Sequence, residues 1–293
     1  MVHIVEEGKF NDNTYLIDGL LFRLPGTIAI FVIENGGERM MFDTSEPLAA
    51  RKIIKKLKEY GLFPIQKLLL THSHWDHDQG WEKLKKLNGD FEILASENAI
   101  QYLRNPGKMN EGFGYEVPPI EGEITSLKEG DTIDLNGLKL KVLNFFGHTQ
   151  DSIAILDEKN RNLFTGDSII YKWDENTIAP VIMLPDFNES ELLKTFERLE
   201  SMREEIDSIS LAHFGVLKDD DFKKLLGELQ DFYFKVKDSL IQWYKENPSI
   251  EYLATRYLET YIPNSTIHTK DNMIGLHLLM GWMEGGLKSS GFI

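Results

Sequence analysis

A chain of 293 residues, 42% hydrophobic and 27% charged, carries enough apolar mass for a substantial core and reads as a soluble globular protein. Its formal net charge of −15, from 32 Lys+Arg against 47 Asp+Glu, disfavours a nucleic-acid partner and an anionic membrane surface, because both draw on clustered positive charge. The absence of cysteine excludes disulfides, thiolate nucleophiles and thiolate metal ligands, so any metal site must be built from His and carboxylate.

The chain opens with early acidic residues and no long apolar core, so no secretory signal is expected, and the expected compartment is the cytoplasm. Tyr15 to Ile17, Ile28 to Ile33 and Arg39 to Phe42 are β-rich runs separated by turn signals at Asp18-Gly19 and Asn35-Gly36-Gly37. Ile53, Ile54 and Leu57 at helical spacing predict a helix from Pro47 to Tyr60, closed by Gly61 and Pro64. The apolar run Ile65 to Leu70 suits a buried strand, and a helix is predicted from about Asp76 to Leu87, then a strand from Phe91 to Leu94. Residues Asn105 to Thr125, rich in Gly, Pro and Asn, read as a long irregular loop of the kind that often forms a lid. Strands resume at Thr132 to Leu135, Leu138 to Phe145, Ser152 to Leu156 and Asn162 to Phe164, with a hairpin at Asn136-Gly137. A capping pattern at Asn188 and Glu191 opens a helix through Met202, and Ile206 to Leu211 is the last predicted strand. Beyond Phe214 the pattern turns helical: Phe222, Leu226, Leu229, Tyr233, Val236, Leu240 and Trp243 recur at intervals of three and four. Pro248 and Pro263 separate that helix from two more, near Ile250 to Tyr261 and Asn272 to Glu284. The expected boundary near Lys218 divides a catalytic domain, 1–218, from an all-helical extension, 219–293.

The segment Thr71-His72-Ser73-His74-Trp75-Asp76-His77 follows a buried strand and opens a helix. On extended backbone, residues i and i+2 share a face, so His72 and His74 can converge on one cation. Asp76 and His77 begin the helix and can serve a second site, where the positive helix end also favours an anion such as hydroxide. Packing does not explain three His and an Asp between His72 and His77, and a purification tag would lie at a terminus. His148, Asp167 and His213 each stand just past a predicted strand, where a layered α/β fold gathers ligands along one rim. Five imidazoles and two carboxylates suit two divalent ions with a bridging carboxylate and a bridging water.

This set resembles that of the metallo-β-lactamase superfamily, whose HxHxDH motif is matched by His72-Ser73-His74-Trp75-Asp76-His77 and whose downstream ligands are matched by His148, Asp167 and His213. The resemblance, which covers about three quarters of the chain, implies an αββα sandwich of the α/β class with the helical extension appended. It implies that His72, His74 and His148 hold a first ion, and that Asp76, His77 and His213 hold a second, with Asp167 bridging. Asp43, at a strand end, matches the Asp that orients these ligands from behind. The implied cofactors are two divalent ions, zinc first, with iron or manganese as the other candidates. The implied reaction is hydrolysis by a bridging hydroxide of an ester, thioester or lactone, with Asp76 passing a proton after attack. The absence of Cys separates the chain from β-lactamases with a His/Cys second site, and His74 separates it from flavodiiron proteins. The helical tail is similar to that of glyoxalase II, although its glutathione-binding basic residues find no match here. Quorum-quenching lactonases carry a Tyr shortly after the bridging Asp, and Tyr171 lies near that spacing but not on it.

The competing reading is a mononuclear-iron oxidoreductase of the persulfide-dioxygenase type, and a nuclease is disfavoured by the acidic charge. The expected partner is a small-molecule substrate. The apolar stripe of the tail implies that it packs on something, as a lid, a homodimer interface or a substrate-binding module. Trp75, Phe113, Tyr115, Phe146, Tyr171 and Trp173 could line an apolar pocket, but each such residue is more often simply core, and no role is assigned to them. His3, His268 and His277 fall outside any ligand spacing and read as structural.

Overall fold

Along Ala29–Asn35 successive side chains enter two different cores: Phe31 and Ile33 join one apolar cluster, Ile30 and Val32 another. A strand buried on both faces needs cover on each side, and the computed structural model, which describes residues 3–293, is layered in that way.

In chain order the first half runs β1 (His3–Ile4), β2 (Gly8–Lys9), β3 (Thr14–Asp18), β4 (Ala29–Asn35), β5 (Glu38–Phe42), α1 (Ala50–Glu59) and β6 (Lys67–Leu70). It continues through α2 (Trp75–Asp78), α3 (Trp81–Asn88), β7 (Glu92–Ser96), α4 (Ile100–Arg104), α5 (Gly107–Asn110) and β8 (Thr125–Leu127). The second half holds β9 (Thr132–Leu135), β10 (Leu138–Asn144), β11 (Ile153–Asp157), β12 (Asn162–Gly166), β13 (Tyr171–Lys172), β14 (Ile178–Ala179) and α6 (Glu189–Ser201). Then come β15 (Ser208–Leu211), β16 (Gly215–Lys218), α7 (Asp219–Glu246), α8 (Ile250–Tyr261) and α9 (Ile274–Ser289).

One sheet has the order β2-β3-β4-β5-β6-β7-β8, the other β1-β16-β15-β12-β11-β10-β9. Between them lie Phe31, Phe42 and Leu69 from the first sheet and Val142, Ile155 and Phe164 from the second. Phe42 and Phe164 stack across the gap with ring centroids 4.4 Å apart. Outside the first sheet, Ile53 and Leu57 of α1 and Leu84 of α3 cover Leu68 and Leu70. Outside the second, α6 and the three last helices pack together: Leu192, Phe222, Tyr233, Tyr257 and Met283 share one cluster with Leu163 and Ile209. This is the expected αββα sandwich with C-terminal helices. No helix among the described residues is long and apolar enough to cross a membrane.

Some expectations need correction. The helix anticipated from Asp76 to Leu87 is two pieces, α2 and α3, parted at Gln79-Gly80, where Gly80 approaches Ser45 so closely that a Cβ would lie 2.7 Å from its carbonyl oxygen. A four-residue turn has too few aligned peptides for the dipole argument, so the anion preference of that helix end falls away. Ile206 to Leu211 is not the last strand, because β16 pairs antiparallel with β15 and carries the chain into α7. Within the anticipated loop, α5 and a 3-10 turn at Glu111–Phe113 give local order.

The topology determines where the site falls. β5, β6 and β7 are parallel to one another in the first sheet, as are β12 and β15 in the second, so their C-terminal ends open onto one rim. There the sheets are joined by two backbone bonds, Ile153 N–H to Thr71 O (3.0 Å) and Ala29 N–H to Ala212 O (2.7 Å).

Candidate metal centre

Each of the seven residues follows a strand end on this rim: His72 and His74 after β6, His148 after β10, Asp167 after β12 and His213 after β15, with Asp76 and His77 on α2. Two glycines permit the close packing. Gly147 has φ +128°, and a Cβ there would meet Leu192 Cβ at 2.6 Å and its backbone nearer still, so only glycine lets the loop before His148 lie against α6. Gly166, φ +52°, would place a Cβ 2.9 Å from the Thr71 side chain.

The structure brings all seven together. Donor atoms of His72, His74 and His148 fall within 4.8 Å of one another, as do those of His72, His77 and Asp167, and those of Asp76, His77 and His213. The first and last sets are the two triads implied by resemblance. Asp167 lies between them: Oδ1 is 3.4 Å from His77 Nε2, while Oδ2 is 3.5 Å from His213 Nε2 and 3.7 Å from His148 Nε2.

The rings are oriented from behind. His148 donates from Nδ1 to the Val181 carbonyl (3.0 Å), and His213 from Nδ1 to the Thr27 carbonyl (2.6 Å), so in each Nε2 faces the centre. His77 Nδ1 donates to Asp43 Oδ2 at 2.9 Å, and the two Asp43 oxygens also accept from the Thr71 N–H and hydroxyl, each at 2.8 Å. Asp43 thus stands where the resemblance placed it, at φ +57°, a region Asp tolerates better than most residues. The carbonyls of Thr27 and Val181 were illegible in the sequence, since any residue supplies one.

Charge divides the centre. Burial dominates at His72, His74 and His148 and pushes their imidazoles below the ordinary value, well below it for the first two. At His77 and His213 burial also opposes the charged ring, but Asp167 and Asp76 outweigh it, holding both above the ordinary value and His77 well above it. Burial works against ionisation of Asp167 too, yet His213 and His77 keep its carboxyl well below the usual range. One end is therefore a set of neutral imidazoles, the other a network of imidazolium and carboxylate.

Nε2 of His72, His74 and His77 and Oδ1 of Asp167 are buried without a hydrogen-bond partner. His148 Nε2, a lone-pair acceptor, lies 2.9 Å from Nδ1 of His74. An unsatisfied buried polar atom costs about 1–3 kcal/mol, and several such atoms gathered in one cluster fit a site completed by divalent cations. The donors, nitrogen and carboxylate oxygen only, are of the type such ions take.

The cleft beside these residues is apolar. Leu21, Phe22, Phe113, Met183, Leu279 and Trp282 line it together with His74, Asp76, Asp167 and His213. Of the anticipated aromatic candidates, Trp75, Phe113, Tyr171 and Trp173 line the cleft, Tyr115 stacks on Trp75 at 3.9 Å, and Phe146 is not in the lining. Tyr171 is buried beside Asp167, its ring edge-on to His213 at 5.1 Å, and burial followed by the Asp167 charge pushes its phenol well up. Its place four residues beyond Asp167 was the available signal. His268, read as structural, also faces the cleft. His3 is structural as expected, bonded to the Phe214 carbonyl at 3.0 Å.

A family profile described as the metallo-beta-lactamase superfamily matches residues 23–213. The chain is 31% identical over 148 residues to a hydroxyacylglutathione hydrolase of Cereibacter sphaeroides, a match covering 50% of this chain and 49% of that protein. It is 27% identical over 160 residues to the acyl-coenzyme A thioesterase MBLAC2 of Gallus gallus, covering 50% of this chain and 55% of that one. The chain thus spans about half the length of these two relatives. Among solved structures, a metallo-beta-lactamase family protein from Thermus thermophilus aligns with a TM-score of 0.65 at 19% identity, covering 94% of this chain and 92% of that one. At that identity the likeness establishes the fold.

Proposed function

The chain belongs to the metallo-β-lactamase superfamily, and from that premise we propose that it is a hydrolase that uses two divalent ions, zinc by preference, to cleave an ester, thioester or lactone. The observation that carries the reading is the position of Asp167, within 3.4–3.7 Å of imidazoles belonging to both ligand triads. The hydrolase and thioesterase named among the relatives support the reaction class.

His72, His74 and His148 would hold one ion and Asp76, His77 and His213 the other, with Asp167 shared. Divalent ions so held supply Lewis acidity and lower the pKa of water enough to make a nucleophile near neutral pH. The chain's own residues do the rest. Asp43, Thr27 and Val181 fix three of the imidazole rings, so the ligands do not reorganise during the reaction. Asp76, the most exposed of the acidic ligands, lies 3.2 Å from His213 Nε2 and can pass a proton to the departing group. The apolar walls exclude bulk water and strengthen each electrostatic contact within.

The test is a panel of thioesters, lactones, esters and phosphodiesters offered to metal-stripped protein and to protein reloaded with zinc, iron or manganese. Zinc-dependent turnover of carbonyl substrates is expected. Oxygen uptake by protein carrying one iron per chain would instead establish the dioxygenase chemistry.

A further inference from the structure

The cleft next to the metal centre holds about 110 Å³, below the roughly 300–1,000 Å³ of an ordinary ligand pocket. Apart from Thr27, His268 and the candidate ligands His74, Asp76, Asp167 and His213, its walls are hydrocarbon and aromatic, and neither Lys nor Arg lines it. Arg23, which stands between the lining residues Phe22 and Leu24, lies by the Glu46 carboxylate.

The C-terminal helices supply one wall. Gly275, Leu279 and Trp282 of α9 face the cleft, and the Trp282 ring meets Phe113 edge-on at 5.5 Å. Glycine allows α9 to seat there: a Cβ on Gly286 would lie 2.8 Å from the Met183 backbone, and one on Gly285 would lie 2.7 Å from the Leu184 side chain. The wall is therefore locked to the loop that carries Met183.

Outside the cleft the apolar surface continues. Phe22 and Leu24 on one side are 37% and 52% exposed, and Ile274 and Leu278, one turn apart on α9 and next to Gly275 and Leu279, are 75% and 38% exposed. Among the described residues only two other large apolar side chains, Val5 and Leu48, are comparably exposed. Scattered exposed apolar residues are ordinary, but Phe22 and Leu24, which line the cleft, and Ile274 and Leu278, beside the lining residues Gly275 and Leu279, together mark a binding surface.

We infer that the substrate is neutral and carries an unbranched hydrocarbon acyl chain, whose first carbons fill the slot between Phe113, Trp282 and Leu21 and whose remainder lies on the rim of Phe22, Leu24, Ile274 and Leu278. The inference rests on the hydrolase reading for its scissile carbonyl. The slot is too small to take a long chain whole, which is why the rim is part of the site. A carboxylate acyl terminus finds neither Lys nor Arg in the lining and loses hydration on entry.

The zinc-loaded full chain is assayed with 4-nitrophenyl esters from acetate to dodecanoate and with esters of dicarboxylic acids of matched length. The expected kcat/KM rises roughly fourfold for each methylene that is fully buried, less along the rim, and then levels off. Esters with a terminal carboxylate fall at least about tenfold below their neutral counterparts. Ile274→Lys and Leu278→Lys flatten the long-chain part of the series, whereas Val5→Lys, outside the cleft, does not. A second arm follows tryptophan fluorescence of metal-free protein titrated with 2-butanone, 2-octanone and 2-dodecanone, where tighter binding of the longer ketones is expected.

Hydrolysis that ignores chain length or favours charged acyl groups overturns the inference and leaves the hydrolase reading intact. Loss of all ester hydrolysis overturns the reaction class, and the ketone series then decides the occupant: equal affinities reject the hydrocarbon chain. If the rim variants dissociate a dimer without changing the chain-length profile, a second copy covers the rim and the inference fails.

Discussion

Nδ1 of His77 lies 2.9 Å from Oδ2 of Asp43, a contact between two buried side chains, one on α2 and the other just past the end of β5. The same carboxylate receives two bonds from Thr71, the residue preceding His72, so one group sets the direction of His77 and the path of the backbone into the ligand motif. Asp43→Asn keeps the volume but offers an amide N–H where an acceptor is needed. Metal affinity is expected to fall about 10–100-fold, as measured by chelator competition, with the circular dichroism spectrum unchanged. Wild-type affinity in the variant would remove Asp43 from the centre.

Acid should empty the centre in two stages. A ligand must be deprotonated to bind a cation. His72, His74 and His148 have pKa values below the ordinary imidazole value and stay unprotonated as the pH falls, whereas His77 and His213, held above it, take up protons first. As the pH falls, the metal content at equilibrium is expected to drop from about two ions to about one per chain before the rest is lost. Equilibrium dialysis with elemental analysis over a descending pH series measures it, and concerted loss of both ions would contradict the division of charge.

How much of this was legible depends on what each residue had to say locally. The ligands were readable because imidazole and carboxylate are rare just past buried strands, and seven of them in strand-end positions leave little else to explain. The sandwich was implied by the resemblance those ligands carry, whereas the apolar runs Ala29 to Ile33 and Leu68 to Leu70 marked only individual buried strands. The break between α2 and α3 was hidden, since it comes from Gly80 lying against Ser45, distant in sequence. The strand Gly215–Lys218 is four residues long and merges into the helical periodicity of α7. The roles of His268 and Trp282 come from tertiary packing and have no local signature, and that of Tyr171 had only its spacing from Asp167.

Gly147→Ala tests the close approach behind His148. With φ at +128° and the Leu192 backbone in the way, the variant must shift the loop or α6. A loss of about 2 kcal/mol or more is expected, seen as a fall in Tm of roughly 4–8 °C. Bound metal should decline with it, because His148 is displaced. An unchanged Tm would show that the loop adapts freely.

Removing residues 219–293 is expected to yield an aggregating protein rather than a minimal enzyme. The deletion uncovers Leu163, Leu199, Ile206 and Ile209, which share one apolar cluster with α7, α8 and α9, and it removes the Trp282 wall of the cleft. Size-exclusion chromatography and turnover decide the matter. A monodisperse, fully active fragment would show that residues 1–218 are self-sufficient.

If ligands from both triads share Asp167 around a pair of cations, elemental analysis of the native chain beside Asp167→Ala and His74→Ala will register it as metal stoichiometry. About two divalent ions per native chain are expected, with no more than about one in either variant, hydrolysis abolished and the fold retained. Full hydrolytic activity in both variants, or native protein that turns over substrate without stoichiometric metal, would contradict the account.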